Sequence, residues 1–136
     1  MKLHLASTAG NLVTGAGPGW LRVGGVDYRE SLLLTPDTLV GGWAPGGFAG
    51  LSERDFAPLV DLVPEVVVFG SGAKLAFPRR ALLRPLTDAG IGIEVMDTPA
   101  ACRTYNILAG EGRRVAAALL VEPDAAMAGR AATETR

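Results

Sequence analysis

The chain has 136 residues, 49% of them hydrophobic, and a formal net charge of −1, which suits one folded domain and excludes the disordered class. The near-neutral balance lacks the basic signature of a nucleic-acid binder. With one cysteine and one histidine, an intrachain disulfide and Cys- or His-rich metal centres are also excluded.

No apolar stretch approaches the roughly 18 residues that a membrane helix needs, and the first residues lack a signal-peptide core. The expectation is a cytoplasmic protein that does not span a membrane. Its single domain is expected over residues 1–123, with a disordered, Ala-rich tail over 124–136.

In chain order, Lys2 to Ser7, which holds His4, is a short mixed segment that could pair as a strand. Asn11 to Gly19 is glycine-rich and ends in a Gly17-Pro18-Gly19 turn signal. Trp20 to Val23 alternates like a half-buried strand, and Gly24-Gly25 turns it into Val26-Asp27-Tyr28. Ser31 to Thr35 continues the pattern, so the first 40 residues predict a meander of short antiparallel strands. Its exposed edge is one place where a second copy could pair.

Gly41 to Gly50 carries no charge and sets Trp43 and Phe48 among five glycines. Two readings stand side by side: a connection that folds its aromatics onto the core, or an apolar loop offered to a partner. Ser52 and Asp55 form a capping-box pattern that opens a helix to about Leu62, with Pro58 inside it.

Val66 to Phe69 has no polar alternation, which predicts a strand buried on both faces of a parallel or mixed sheet. It runs into Gly70-Ser71-Gly72. A helix opened by Pro78 and closed by Gly90 follows, then a second buried strand, Ile91 to Met96. The spacing matches a βαβ crossover. Thr98-Pro99 caps the next helix, whose buried face is Ala101, Tyr105, Leu108 and Ala109. Val115 to Val121 reads as the last strand.

Chemistry concentrates where the first buried strand ends. The Gly70-Ser71-Gly72 loop could present backbone N–H groups to an anion or small polar ligand. Asp97 ends the next strand near where a ribose-binding acid would stand, but no third glycine opens the helix and the second half of a dinucleotide fold is missing, so no cofactor is expected. Cys102 sits one turn into a helix beside Arg103, which favours a thiolate, yet no base accompanies it and a structural cysteine is the better reading. Asp97 and Arg103 could pair or converge on a ligand. Seven of the chain's thirteen basic residues fall within 71–114 against four acidic ones, 7 − 4 = +3, which suits an acidic partner, anionic head groups or a small anion.

The runs VVVFGSGAKLAFP, LTDAGIGIEVMDTPAACRTYNIL and EGRRVAAALL resemble the domain of unknown function 498 family. The most specific match is the motif M-D-T-x-x-A-C-x-T-Y-N at Met96 to Asn106, and LRVGGVDYRESLLLTPD is similar too. The family includes a mitochondrial complex I assembly factor and the adipogenesis-associated domain protein of animals.

The resemblance implies one compact α/β domain: a central mixed sheet with a βαβ unit, helices on its faces, and a small N-terminal antiparallel layer. It further implies a non-enzymatic interaction domain whose partner is another protein, assisting assembly or insertion of a membrane protein complex. The alternative is a small-molecule or anion-binding protein, or an enzyme, built on Gly70, Ser71 and Gly72 with Asp97, Cys102 and Arg103.

Overall fold

The computed structural model describes residues 10–122, so the segments holding His4 and the C-terminal tail lie outside the described residues. Among the described residues, eight strands form two sheets. A three-stranded antiparallel sheet holds β1 (Val13–Gly17), β2 (Trp20–Val23) and β3 (Val26–Tyr28) in that order. A five-stranded mixed sheet holds β4 (Leu32–Thr35), β5 (Thr38–Val40), β6 (Val66–Gly70), β7 (Gly92–Met96) and β8 (Val115–Leu119) in the order β5-β4-β8-β6-β7. Among the described residues three α-helices complete the fold: α1 (Glu53–Asp61), α2 (Arg84–Asp88) and α3 (Thr98–Gly110).

β6 pairs in parallel with β7 on one side and β8 on the other, while β4 pairs antiparallel with both β8 and β5. The three inner strands are apolar on both faces. Leu32, Leu34, Val68, Val115, Ala117 and Leu119 pack under α3 and the three-stranded sheet. Leu33, Val67, Phe69, Ala116, Ala118 and Leu120 pack under α1, α2 and the glycine-rich loop. The expectation of a buried valine strand and a mixed central sheet is met at β6.

Four sequence expectations are corrected, the last of them the cap of α3. The strand at 32–35 leaves the N-terminal meander and joins the central sheet, because three consecutive leucines have apolar neighbours on both faces only there. The strand at 92–96 is an edge strand with Gly92 and Glu94 exposed, not a second buried one.

The glycine-rich 13–17 run is the first strand of the three-stranded sheet. Trp20 lies across it: a Cβ on Gly17 would fall 2.7 Å from Trp20 Cε2. The side chain of the larger residue supplies the packing that the glycines lack.

Pro78 does not open a helix. A 3₁₀ turn at Arg80–Leu83 leads into α2, where Pro85 occupies the first turn. A proline lacks the N–H that a helix interior needs, so the helix restarts around it.

The capping box at Ser52 forms as expected, with the Ser52 N–H donating to Asp55 Oδ2 at 2.8 Å. The cap of α3, however, is Asp97, whose Oδ1 accepts from the Ala100 N–H at 2.8 Å. Thr98 is thereby released for another role.

Candidate functional site at the carboxyl ends of the parallel strands

The connection leaving β6 passes through α2 on one face of the sheet, and the one leaving β7 passes through α3 on the other. Open α/β sheets bind ligands at the strand ends where connections diverge in this way. Here the ends meet at Gly70–Gly72, Met96–Thr98 and Leu119–Glu122.

Thr98 ties these ends together. Its hydroxyl donates to the Leu120 carbonyl at 2.7 Å and accepts from the Gly72 N–H at 2.8 Å, while its own N–H donates to the Gly72 carbonyl at 2.8 Å. Gly70 lets α3 approach this closely, since a Cβ there would stand 2.9 Å from Thr98 Cα and 3.1 Å from Ala101 Cβ. Gly72 has φ +109, a backbone conformation that disfavours any side chain.

The hydrogen bonds of the glycine loop are directed inward. The Ser71 N–H donates to the Met96 carbonyl at 2.9 Å, and the Gly72 N–H goes to Thr98. Ser71 Oγ donates to the Lys74 carbonyl at 2.7 Å and accepts from the Ala76 N–H at 3.0 Å. An anion at this loop would have to displace these partners.

Beside Gly72 opens a cleft of about 340 Å³, walled by the β1–β2 turn, Gly72-Ala73, Thr98-Pro99 and Leu120 to Glu122. Its lining is largely apolar, with Pro18, Trp20, Pro99 and Val121 among its walls, and among the described residues Glu122 is its only ionisable one. Such a cleft can hold an apolar group. Among the described residues it has no nucleophile–base pair for proton transfer or acyl chemistry. Among the described residues, no cluster of three His, Cys, Asp or Glu side chains could hold a metal ion.

The other predicted site residues are dispersed. Of the six, only Gly72 lines the cleft. Asp97 caps α3 and forms no ion pair with Arg103, whose side chain is exposed. Cys102 is 5% exposed among the apolar residues between α3 and the sheet. Burial pushes its thiol up to about 11, against a smaller opposing pull from Arg103, so the group is a neutral thiol at physiological pH.

Trp43 is core: 6% exposed, its Nε1 donating to the Asp55 carbonyl at 2.7 Å, its ring edge-on to Phe56 and Phe69 at 5.9 and 6.4 Å. Phe48 is half-buried against Phe69. The core-facing reading of this loop describes the geometry.

The motif from Met96 to Asn106 is a set of structural ties. The Tyr105 hydroxyl donates to the Asn11 carbonyl at 2.7 Å. The Asn106 amide pairs with Val13 like a neighbouring strand, accepting from its N–H at 2.9 Å and donating to its carbonyl at 2.8 Å. Asn11 in turn donates to the Thr35 and Thr38 carbonyls. Thus α3 fixes the three-stranded sheet to the β4–β5 hairpin.

A family model described as "Protein of unknown function (DUF498/DUF598)" matches residues 13–120. The chain belongs to this family. An uncharacterised protein of Rhodobacter capsulatus is 39% identical over 114 residues, covering 83% of the chain and 86% of that protein. The NADH dehydrogenase [ubiquinone] 1 alpha subcomplex assembly factor 3 of Bos taurus is 38% identical over 92 residues, covering 66% of the chain. The chain spans about half the length of that relative, 50%. A crystal structure of a Bordetella parapertussis protein superposes with a TM-score of 0.78 at 38% identity, covering 85% of this chain and 98% of that one. The mixed α/β fold is therefore the family's fold.

Proposed function

We propose that this domain is a non-enzymatic cytoplasmic factor that binds another protein and assists assembly of a multisubunit, membrane-bound NADH dehydrogenase. The observation that carries the reading is the 38% identity to an NADH dehydrogenase assembly factor over 92 residues. The geometry favours binding over catalysis, because the cleft beside Gly72 is apolar and Thr98, its one hydroxyl, is doubly engaged. Within this reading the cleft accepts an apolar side chain of the client. Trp20, Pro99 and Val121 form its walls.

Deleting the gene should reduce assembled NADH dehydrogenase on native gels and leave subassemblies. The full chain should restore assembly and a Trp20→Ala variant should restore less. Normal assembly in the deletion strain would overturn the proposal.

A second reading, a small apolar ligand in the same cleft, is favoured by its volume, which falls at the lower end of ligand-pocket sizes. A ligand bound only by the folded state must raise the melting temperature. A thermal-shift screen of small apolar carboxylates and aromatics tests this reading, and no shift at any concentration would sink it.

A further inference from the structure

The loop that follows Gly72 has properties the assembly reading does not use. Leu75 and Phe77 are 55% and 68% exposed, although both are large and apolar. Their outward position is not slack in the chain. Ser71 Oγ ties down Lys74 and Ala76 on either side of Leu75, and Pro78, next to Phe77, is buried. The loop therefore presents alternate side chains, Leu75 and Phe77, from an anchored backbone.

Around them stand Lys74, Arg79, Arg80 and Arg84, all exposed, and none makes an ion pair among the described residues. No acidic residue occurs between Ser71 and Thr87. Four positive charges in a chain of net −1 leave −1 − 4 = −5 for the remainder, so positive charge is concentrated on this one segment.

We propose that the 74–84 segment docks the protein on an anionic lipid surface, with Leu75 and Phe77 inserted at the head-group boundary and the four cations against lipid phosphates. Charge complementarity selects this occupant. Basic residues near an anionic leaflet add attraction one by one, and apolar side chains deepen the contact without needing a shaped partner. A stable protein interface needs about 800 Å² per partner, more than two side chains on a loop supply by themselves. Among the described residues no helix is long and apolar enough to cross a membrane. The proposal does not depend on the assembly role.

The test is flotation of the full chain with vesicles of phosphatidylcholine alone and of phosphatidylcholine mixed with phosphatidylglycerol. Binding is expected on the mixed vesicles only, and it should fall as salt rises. Arg79→Gln and Arg80→Gln should each weaken it about fivefold, and Leu75→Ser with Phe77→Ser should abolish it. Circular dichroism should report an unchanged fold, because these positions are exposed.

Absence of flotation, equal flotation on neutral vesicles, or indifference to all four substitutions would each overturn the proposal. So would a Phe77→Ser variant that loses a co-purifying soluble protein while the parent chain stays off vesicles, an outcome that assigns the loop to a protein interface.

Discussion

Two loops flanking the same sheet carry aromatic residues in opposite ways. Gly41 to Gly50 has no charge, and it folds Trp43 and Phe48 onto Phe69. Lys74 to Arg80 is studded with cations, and it leaves Phe77 in solvent. The difference teaches how to weigh an aromatic in a loop. A tryptophan among glycines can reach the core because glycines let the backbone turn tightly toward it, and its indole N–H finds a backbone carbonyl on arrival. A phenylalanine between Lys74 and Arg79 is held where those charges must remain hydrated.

The largest test of this contrast is Trp43→Ala. Removing a buried aromatic ring leaves a cavity beside Phe56 and Phe69, and about 3–5 kcal/mol of stability should be lost. Urea denaturation measures it. A loss below about 1 kcal/mol would show that the glycine-rich loop is not part of the core.

Next in size is the tie beneath the basic loop. Thr98→Val keeps the shape but leaves the Gly72 N–H and the Leu120 carbonyl without partners in a buried site. Each orphaned group costs about 1–3 kcal/mol, so a loss of about 2–4 kcal/mol is expected. Hydrogen exchange should quicken at Gly72. A neutral result would mean that water enters the cleft and replaces the hydroxyl.

These two sites show what sequence reasoning can reach. The valine run of β6, the capping box at Ser52 and the glycine that closes α2 at Gly90 are local patterns with local causes, and they were legible. The placement of β4 was not. Leu32 to Leu34 pair with Ala117 to Leu119, far along the chain, and no local pattern reports that partner. The same limit hid the edge position of β7.

Thr98 reads as a cap in the sequence because Thr and Asp both cap helices well, and only the three-dimensional approach of Gly72 and Leu120 decides between them. The cleft was invisible for a related reason. Its walls come from four separated segments, and among the described residues its only basic or acidic member is Glu122. Cys102 taught the converse. A helix N-terminus and a neighbouring arginine predict a lowered pKa, but burial dominates and raises it.

That reversal has a pH consequence. In the unfolded chain the Cys102 thiol ionises near its ordinary value of 9.0, while in the fold it holds its proton up to about 11. A raised folded value means that the neutral form stabilises the fold. The contribution is complete below about pH 9 and is lost as pH rises toward 11, a decline of roughly 2–3 kcal/mol in total. Cys102→Ala should flatten the alkaline limb of a stability–pH curve. At pH 8 the native thiol should react with Ellman's reagent only as fast as the protein opens. Prompt labelling of the folded protein would place the sulfur in solvent instead.

The smallest effect expected is the one that completes the contrast. Phe77→Ser removes a ring as large as that of Phe56 or Phe69, yet its site is open on most sides. Little apolar area returns to water on mutation, because little was withdrawn from it on folding. Stability should change by no more than about 0.5 kcal/mol in urea. Binding of a fluorescent apolar dye to the native protein should fall at the same time, because an exposed aromatic neighbour is gone. If Phe77→Ser were to cost as much as Trp43→Ala, the two loops would be alike, and the charges around Phe77 would be covering a packed ring instead of surrounding an exposed one.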